Sequence, residues 1–290
     1  MEWIADLGTR RLQPKTIKSY LTAVRSLHME ADASFTVCEA PIVQRLIRGI
    51  KRYHGERERN PKLPITFPIL HKLTSLSYSS FDDIVFITAA KLAYAGFLRC
   101  GEFTIDKPNS FDPNIHVTCS SIRFMPSLAE PDHLILTLPA SKTDPFRKGV
   151  TIYIAAAPNS PSTCPVSALR HLFTVDPRPL NSPLFITSDL SPLTRSRFIA
   201  RLRLALPNAG LQPQGYSGHS FRRGAASAAA AAGFLDHEIQ QLGRWRSDAY
   251  RLYIDTPKDR ILNLSSRLHM ADPHTPPFEP PILPFTPPLA

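Results

Sequence analysis

The sequence predicts a mainly α protein of the α+β class: a helical N-terminal domain, a short linker, and a larger, mainly helical domain with a small antiparallel sheet. Three patterns predict it. Apolar residues recur at helical spacing through residues 14–54. The period changes to strand alternation between about 115 and 155. An alanine-rich run at 220–232 ends at Gly233, a strong helix former followed by a natural stop.

Residues 1–54 form the first predicted domain. Pro14 to Met29 reads as one helix, with Ile17, Leu21, Val24 and Leu27–His28 on its apolar face and Lys15, Lys18 and Arg25 outside it. Ala40 to His54 reads as a second, with Ile42, Val43, Leu46, Ile47 and Ile50 inward. Its polar face carries Arg45, Arg48, Lys51 and Arg52, a set that a solvated face explains and that phosphate contacts would also use. Only about six residues precede the turn region at Gly8–Pro14, so this domain reads as cut short. Residues 55–64 are polar, carry two prolines and read as a linker.

Residues 65–270 form the second predicted domain. A short helix is expected over Phe67–Leu76 and a longer buried one over Phe81–Leu98. Ile115–Thr118, Ser121–Phe124, the segment around Leu134–Leu138, and Val150–Ile154 read as strands. A turn built on Asp144–Pro145 separates the last two. Helices are expected again at Pro165–Thr174 and Ser191–Pro207. The latter bears Arg195, Arg197, Arg201 and Arg203, spaced to suit phosphates although a solvated face serves nearly as well. Pro257–Met270 reads as one short helix. Residues 271–290 are proline-rich without periodicity, a disordered or extended tail.

Composition narrows the function. A net charge of +10 favours a polyanionic partner, with nucleic acid first. The four cysteines, Cys38, Cys100, Cys119 and Cys164, have no metal-ligand spacing and fit free thiols, so no metal site is expected. No apolar run reaches membrane-span length and no signal peptide is legible, so the chain reads as soluble and intracellular.

The chemistry concentrates at 216–254. His219 and Arg222 are three residues apart and would share a helical face. Ser217 or Ser220 can cap that helix. A short helix should follow from Asp236 to Gly243. A third should start at a Ser247 cap and carry Tyr250 and Tyr253, one turn apart. This folding back gathers an imidazole, guanidiniums, an indole and a phenol, a set suited to a phosphodiester: cations for its charge and a tyrosine hydroxyl as nucleophile.

His219-x-x-Arg222, Leu-Gly-Arg-Trp245-Arg-Ser-Asp-Ala and Tyr253, with Gly96-x-x-Arg99-x-x-Glu102 upstream, resemble the signature of the tyrosine recombinases, the phage-integrase family. The Gly-Arg-Trp-x-Ser-Asp-Ala form is similar to the recombinases of DIRS-type retroelements and cryptons. Trp245 and Tyr253 are eight positions apart where bacterial and phage members usually have nine, which keeps Tyr250 as an alternative nucleophile. The resemblance implies a core-binding-like N-terminal domain on one side of duplex DNA and a catalytic domain on the other. It implies one basic cleft holding Arg99, Lys142, His219, Arg222, Trp245 and Tyr253, with Lys148 the fallback for the lysine. It further implies attack by Tyr253 to give a 3′-phosphotyrosine, no metal or ATP cofactor, self-association on DNA as a dimer or tetramer through the helix after the tyrosine, and action in the nucleus for a mobile element. Two other readings stay open: a recombinase-derived DNA-binding protein without activity, and an unrelated helical protein in which His219 and Arg222 are a core pair.

Overall fold

The computed structural model describes residues 2–55, 62–76, 80–140, 146, 148–255 and 258–268. The chain divides into two compact units, Met1–Pro61 and Lys62–Ala290. Each is taken by itself.

The first unit is all helical: α1 (Glu2–Thr9), α2 (Pro14–Glu30), α3 (Thr36–Glu39) and α4 (Pro41–His54). Proline opens α2 and α4, where its missing N–H costs nothing. Ile4, Leu7, Ile17, Leu21, Val43, Ile47 and Ile50 make the core. The imidazole Nε2 of His54 lies 2.9 Å from the carbonyl of Gly8, tying the end of α4 to α1. Leu27 and Ile42, expected in it, are instead exposed, and Val24 and His28 are half-buried outside it. Leu27 is 62% and Ile42 51% exposed, because each sits at the border of a stripe narrower than the sequence pattern implied. Arg45, Arg48, Lys51 and Arg52 are all exposed along α4.

The second unit begins with α5 (Phe67–Ser75) and α6 (Phe81–Ala95). Ser80 and Asp83 cap α6 reciprocally: the Ser80 hydroxyl accepts from the Asp83 N–H at 3.2 Å, and the Asp83 carboxylate accepts from the Ser80 N–H at 3.3 Å. The helix is apolar on every side, as a central helix must be. A sheet of β1 (Ile122–Met125), β2 (His133–Leu138) and β3 (Val150–Ala155) follows, antiparallel in that order. Ile122 pairs with Leu136, and Leu138 with Val150. Leu134, Leu136 and Leu138 point from the middle strand into the core. Residues 115–118 are not the strand that their alternation predicted. Val117 and Thr118 instead pair locally with the backbone at Pro183 and Leu184, through an isolated bridge and a 3.1 Å bond from the Leu184 N–H to the Val117 carbonyl.

Four more helices, α7 (Pro165–Val175), α8 (Arg195–Asn208), α9 (Ser220–Ala231) and α10 (Asp236–Gly243), complete the packing. Phe198 of α8 is fully buried, with ring centroids of Phe86, Phe103 and Phe221 at 5.5, 4.9 and 5.5 Å. This aromatic centre fixes α6, α8 and α9 against one another and so sets where Arg99 and Arg222 emerge. A 3-10 helix at Asp248–Tyr253 and α11 (Lys258–Leu268) close the chain. Leu63 and Ile65, at the end of the predicted linker, already donate to the carbonyls of Gly215 and Ser220. The predicted turn at Asp144–Pro145, Lys142 and the proline-rich tail lie outside the described residues. Among the described residues no helix is long and apolar enough to cross a membrane.

Candidate active site

The site is built where α9 starts. The chain enters α9 through a serine turn: the Ser217 N–H donates to the Ser220 hydroxyl at 2.9 Å, and the His219 N–H donates to the Ser217 hydroxyl at 3.3 Å. His219 itself is the residue before the first helical one, without a side-chain cap. His219 is exposed, whereas Arg222 is 0% exposed. The N-terminal position of His219 leaves it at the rim, and Arg222 lies one turn further into the fold.

Arg222 is held on three sides. Its two terminal nitrogens donate to the carbonyls of Phe97 and Gly243. Its guanidinium carbon lies 4.0 Å from the centroid of the Trp245 ring and 5.8 Å from that of Tyr253. Its Nε is buried and has no hydrogen-bond partner among the described residues.

Arg99 approaches from the end of α6, followed by one 3-10 turn at Cys100–Glu102. Its guanidinium donates to Glu102 Oε1 at 2.7 Å and its backbone N–H to Glu102 Oε2 at 2.9 Å. The Arg–Glu spacing alone resembled a surface pair, but the Glu102 side chain is only 3% exposed. Arg244 reaches the same carboxylate, donating to Glu102 Oε2 at 2.9 Å and to the Gly96 carbonyl at 2.8 Å. Arg99 and Arg244 therefore share the Glu102 carboxylate, and Arg222 lies close enough to feel all three charges without bonding to that carboxylate. The consequence falls on Arg222. Burial, and then repulsion from Arg99 and Arg244 only partly offset by Glu102, push its pKa down to about 9. A phosphodiester would supply the missing negative charge and acceptors.

Trp245 is nearly buried between Arg222 and an aromatic cluster. Its ring centroid is 6.4 Å from Phe97, 6.2 Å from Tyr250 and 5.4 Å from Tyr253. It folds back so closely on α10 that a Cβ on Gly243 would sit 1.5 Å from its Cζ3. α10 ends at Gly243, as expected from sequence, and the residue after it, Arg244, takes the left-handed conformation, at φ 56°.

The two tyrosines separate. They stand on a 3-10 helix rather than an α-helix, so three residues advance about 6 Å instead of about 4.5 Å. Tyr250 is buried, its hydroxyl accepting from Arg251 Nε at 3.2 Å. Tyr253 is half-buried beside Trp245 and Arg222. Two residues one turn apart on α9 grip the segment around it. Arg223 donates to both oxygens of Asp255 and to the Leu252 carbonyl at 2.8 Å. The Ser227 hydroxyl donates to the Tyr253 carbonyl at 3.2 Å and accepts from the Asp255 N–H at 2.8 Å. Arg223, the neighbour of Arg222 on α9, thus faces the tyrosine segment.

An open recess of about 630 Å³ fronts the site, lined by Arg99, Lys148, His237, Arg244, Trp245 and Arg246 among others. Lys148 is exposed just before β3. Lys142, the first choice for the lysine, is outside the described residues. The basic residues of α8 divide. Arg195 and Arg203 are exposed, but Arg197 forks onto Asp189 at 2.9 and 2.5 Å. Arg201 donates to Asp83, with its Nε at 3.0 Å, and lies 5.6 Å from the Phe86 ring. Arg197 and Arg201 are therefore already engaged within the fold. Sequence reasoning missed Arg244 and Gly243 as site-builders, although both lie inside the Leu-Gly-Arg-Trp motif.

The fold and this arrangement define a class: the chain has the tyrosine-recombinase fold. It aligns with the Tn1549 transposon integrase in complex with circular intermediate DNA over 93% of this chain and 83% of that one, at 13% identity and a TM-score of 0.57. It aligns with the XerH site-specific recombinase bound to palindromic difH substrate, in a post-cleavage complex, over 74% of this chain at 15% identity and a TM-score of 0.53. The match spans 55% of the XerH chain. No protein-family model matches the sequence, and no curated protein matches it.

Proposed function

We propose that this protein breaks and rejoins duplex DNA through a covalent link to Tyr253. One observation carries the reading: Arg222, buried and with an Nε unpartnered among the described residues, lies beside both Trp245 and Tyr253 in a cluster where three guanidiniums face one carboxylate. Arg99 and Arg222 hold the non-bridging oxygens of the phosphate. The Tyr253 oxygen attacks phosphorus while the bond to the 5′-oxygen breaks. Lys142, or Lys148 in its place, gives that oxygen a proton, and His219 assists removal of the phenol proton. Trp245 packs the nucleophile against Arg222. The 3′-phosphotyrosine keeps the bond energy, and attack by a 5′-hydroxyl reverses the steps, so neither ATP nor a metal is called for.

The exposed Arg45, Arg48, Lys51 and Arg52 of the first unit, with Arg195 of the second, serve as phosphate contacts that make affinity fall with salt. Self-association on DNA and the role of integrase for a mobile element in the nucleus belong to the same reading and rest on the motif resemblance.

The test is trapping. Incubated with a nicked duplex that loses its 5′-hydroxyl fragment on cleavage, the wild type forms a covalent adduct whose modified peptide contains Tyr253. Tyr253→Phe forms none yet binds DNA within about threefold, since only the attacking oxygen is gone. An adduct that persists in Tyr253→Phe would overturn the assignment of the nucleophile.

A further inference from the structure

We infer that Arg244 is a positioning residue of this site, the strut that ties the Arg99–Glu102 pair to the helix end from which Trp245 covers Arg222. Its effect on rate rests on the function proposed above; its effect on Trp245 does not.

Arg244 stands in the left-handed region, φ 56° and ψ 41°, at the end of α10. Residues with a side chain rarely hold that conformation, and glycine is the usual occupant. What this arginine does there is bond. One terminal nitrogen donates to the Gly96 carbonyl at 2.8 Å and to the Leu242 carbonyl at 3.4 Å. The other donates to Glu102 Oε2 at 2.9 Å and to the Phe97 carbonyl at 3.4 Å. All four terminal N–H groups are thus committed inside the protein, which distinguishes Arg244 from a phosphate ligand even though it lines the open recess.

The bonds join the segment that carries Arg99 to the end of α10, from which Trp245 follows. Glu102 is shared between Arg99 and Arg244 through different oxygens. The Phe97 carbonyl is shared between Arg222 and Arg244. The left-handed turn at Arg244 also reverses the chain, laying the Trp245 ring on Gly243 and 4.0 Å from the Arg222 guanidinium. Without Arg244, Arg99 keeps Glu102 but the pair loses its direct bond to the end of α10, leaving the indirect bridge of Arg222 between the Phe97 and Gly243 carbonyls, and Trp245 loses the bonded residue that sets its direction. A positioning loss of this kind, on the order of 1 Å, costs about 100-fold in rate.

The test uses Arg244→Gly in the full chain, because glycine eases the backbone while deleting the bonds. Single-turnover adduct formation should fall about 100-fold, with duplex affinity within about threefold because no phosphate contact is lost. In a Trp3→Phe background Trp245 is the sole tryptophan, and its emission should move to longer wavelength and become open to acrylamide quenching. Arg244→Lys keeps the charge but cannot span Gly96 and Glu102 together, so it should lose rate and blue emission alike; it carries the test if the glycine variant does not fold. Unchanged rate and emission in these variants would overturn the inference, as would a loss of DNA affinity that matches the loss of rate. If the wild type forms no adduct, the proposed function fails on its own, and Trp245 emission alone decides whether Arg244 positions it.

Discussion

Replacing Trp245 should damage stability and chemistry together, and the structure sets the size of both effects. The indole is 9% exposed, lies 4.0 Å from the Arg222 guanidinium carbon, and packs against Phe97, Tyr250 and Tyr253. Truncating a buried tryptophan to alanine costs about 3–5 kcal/mol. About 2 kcal/mol of that reflects the cation–π contact of a desolvated guanidinium. With a urea slope of about 3 kcal/mol/M, the unfolding midpoint of Trp245→Ala should fall by about 1–2 M. Trp245→Phe keeps a smaller face over Arg222 and should lose about 1–2 kcal/mol. Gly243→Ala should imitate the loss without touching the indole, because its new Cβ would need the space 1.5 Å from Trp245 Cζ3. Urea unfolding followed by far-UV circular dichroism gives the stabilities, and the nicked-duplex assay gives the chemistry. If Trp245→Ala kept its urea midpoint within about 0.2 M and still formed adduct at the wild-type rate, the packing of Arg222 described above would be wrong.

Three other outcomes follow from the same geometry. Tyr250→Phe removes a buried hydroxyl that accepts from Arg251, so it should cost about 1 kcal/mol in denaturation while adduct formation persists, the reverse of Tyr253→Phe. Arg223→Ala frees Leu252 and Asp255 from α9, and adduct formation should fall about tenfold as the tyrosine segment loosens, an effect that Asp255→Asn should share in part. The Asp83 carboxyl sits below its ordinary range: burial alone would raise its pKa, but hydrogen bonds from Arg201 and Ser80 outweigh it. A carboxylate depressed in the folded state adds stability above its unfolded pKa and loses it as pH falls through the folded value. Acid unfolding below about pH 4 should therefore be less steep in Asp83→Asn than in the wild type.

How much of this was legible in the sequence depends on distance along the chain. Helical spacing, the start of α9 at Ser220, the stop near Gly233 and the sheet at β1–β3 are properties of residues within a few positions of one another, and the sequence carried them. So was the order of Arg99, His219, Arg222, Trp245 and Tyr253, because the motifs are short. The pattern misled where two local readings compete. Residues 115–118 alternate like a strand, yet their backbone partners at 183–184 make only an isolated bridge. Tyr253 was preferred from the motif, with Tyr250 an alternative three residues before it.

The rest was decided by tertiary packing. That His219 faces outward while Arg222 is sealed inside follows from Phe221 anchoring α9 on the aromatic centre around Phe198. The second guanidinium at Glu102 comes from Arg244, 142 positions away. Arg201, one of a row of arginines that looked alike, is taken by Asp83, 118 positions away. An ion pair or a buried charge depends on which surfaces meet and how much water they exclude, and that depends on the whole core. The sequence by itself determined which cationic, aromatic and hydroxyl side chains this protein carries and in what order; only the tertiary structure decided where each lies and what it bonds, because burial and long-range pairing depend on the whole core.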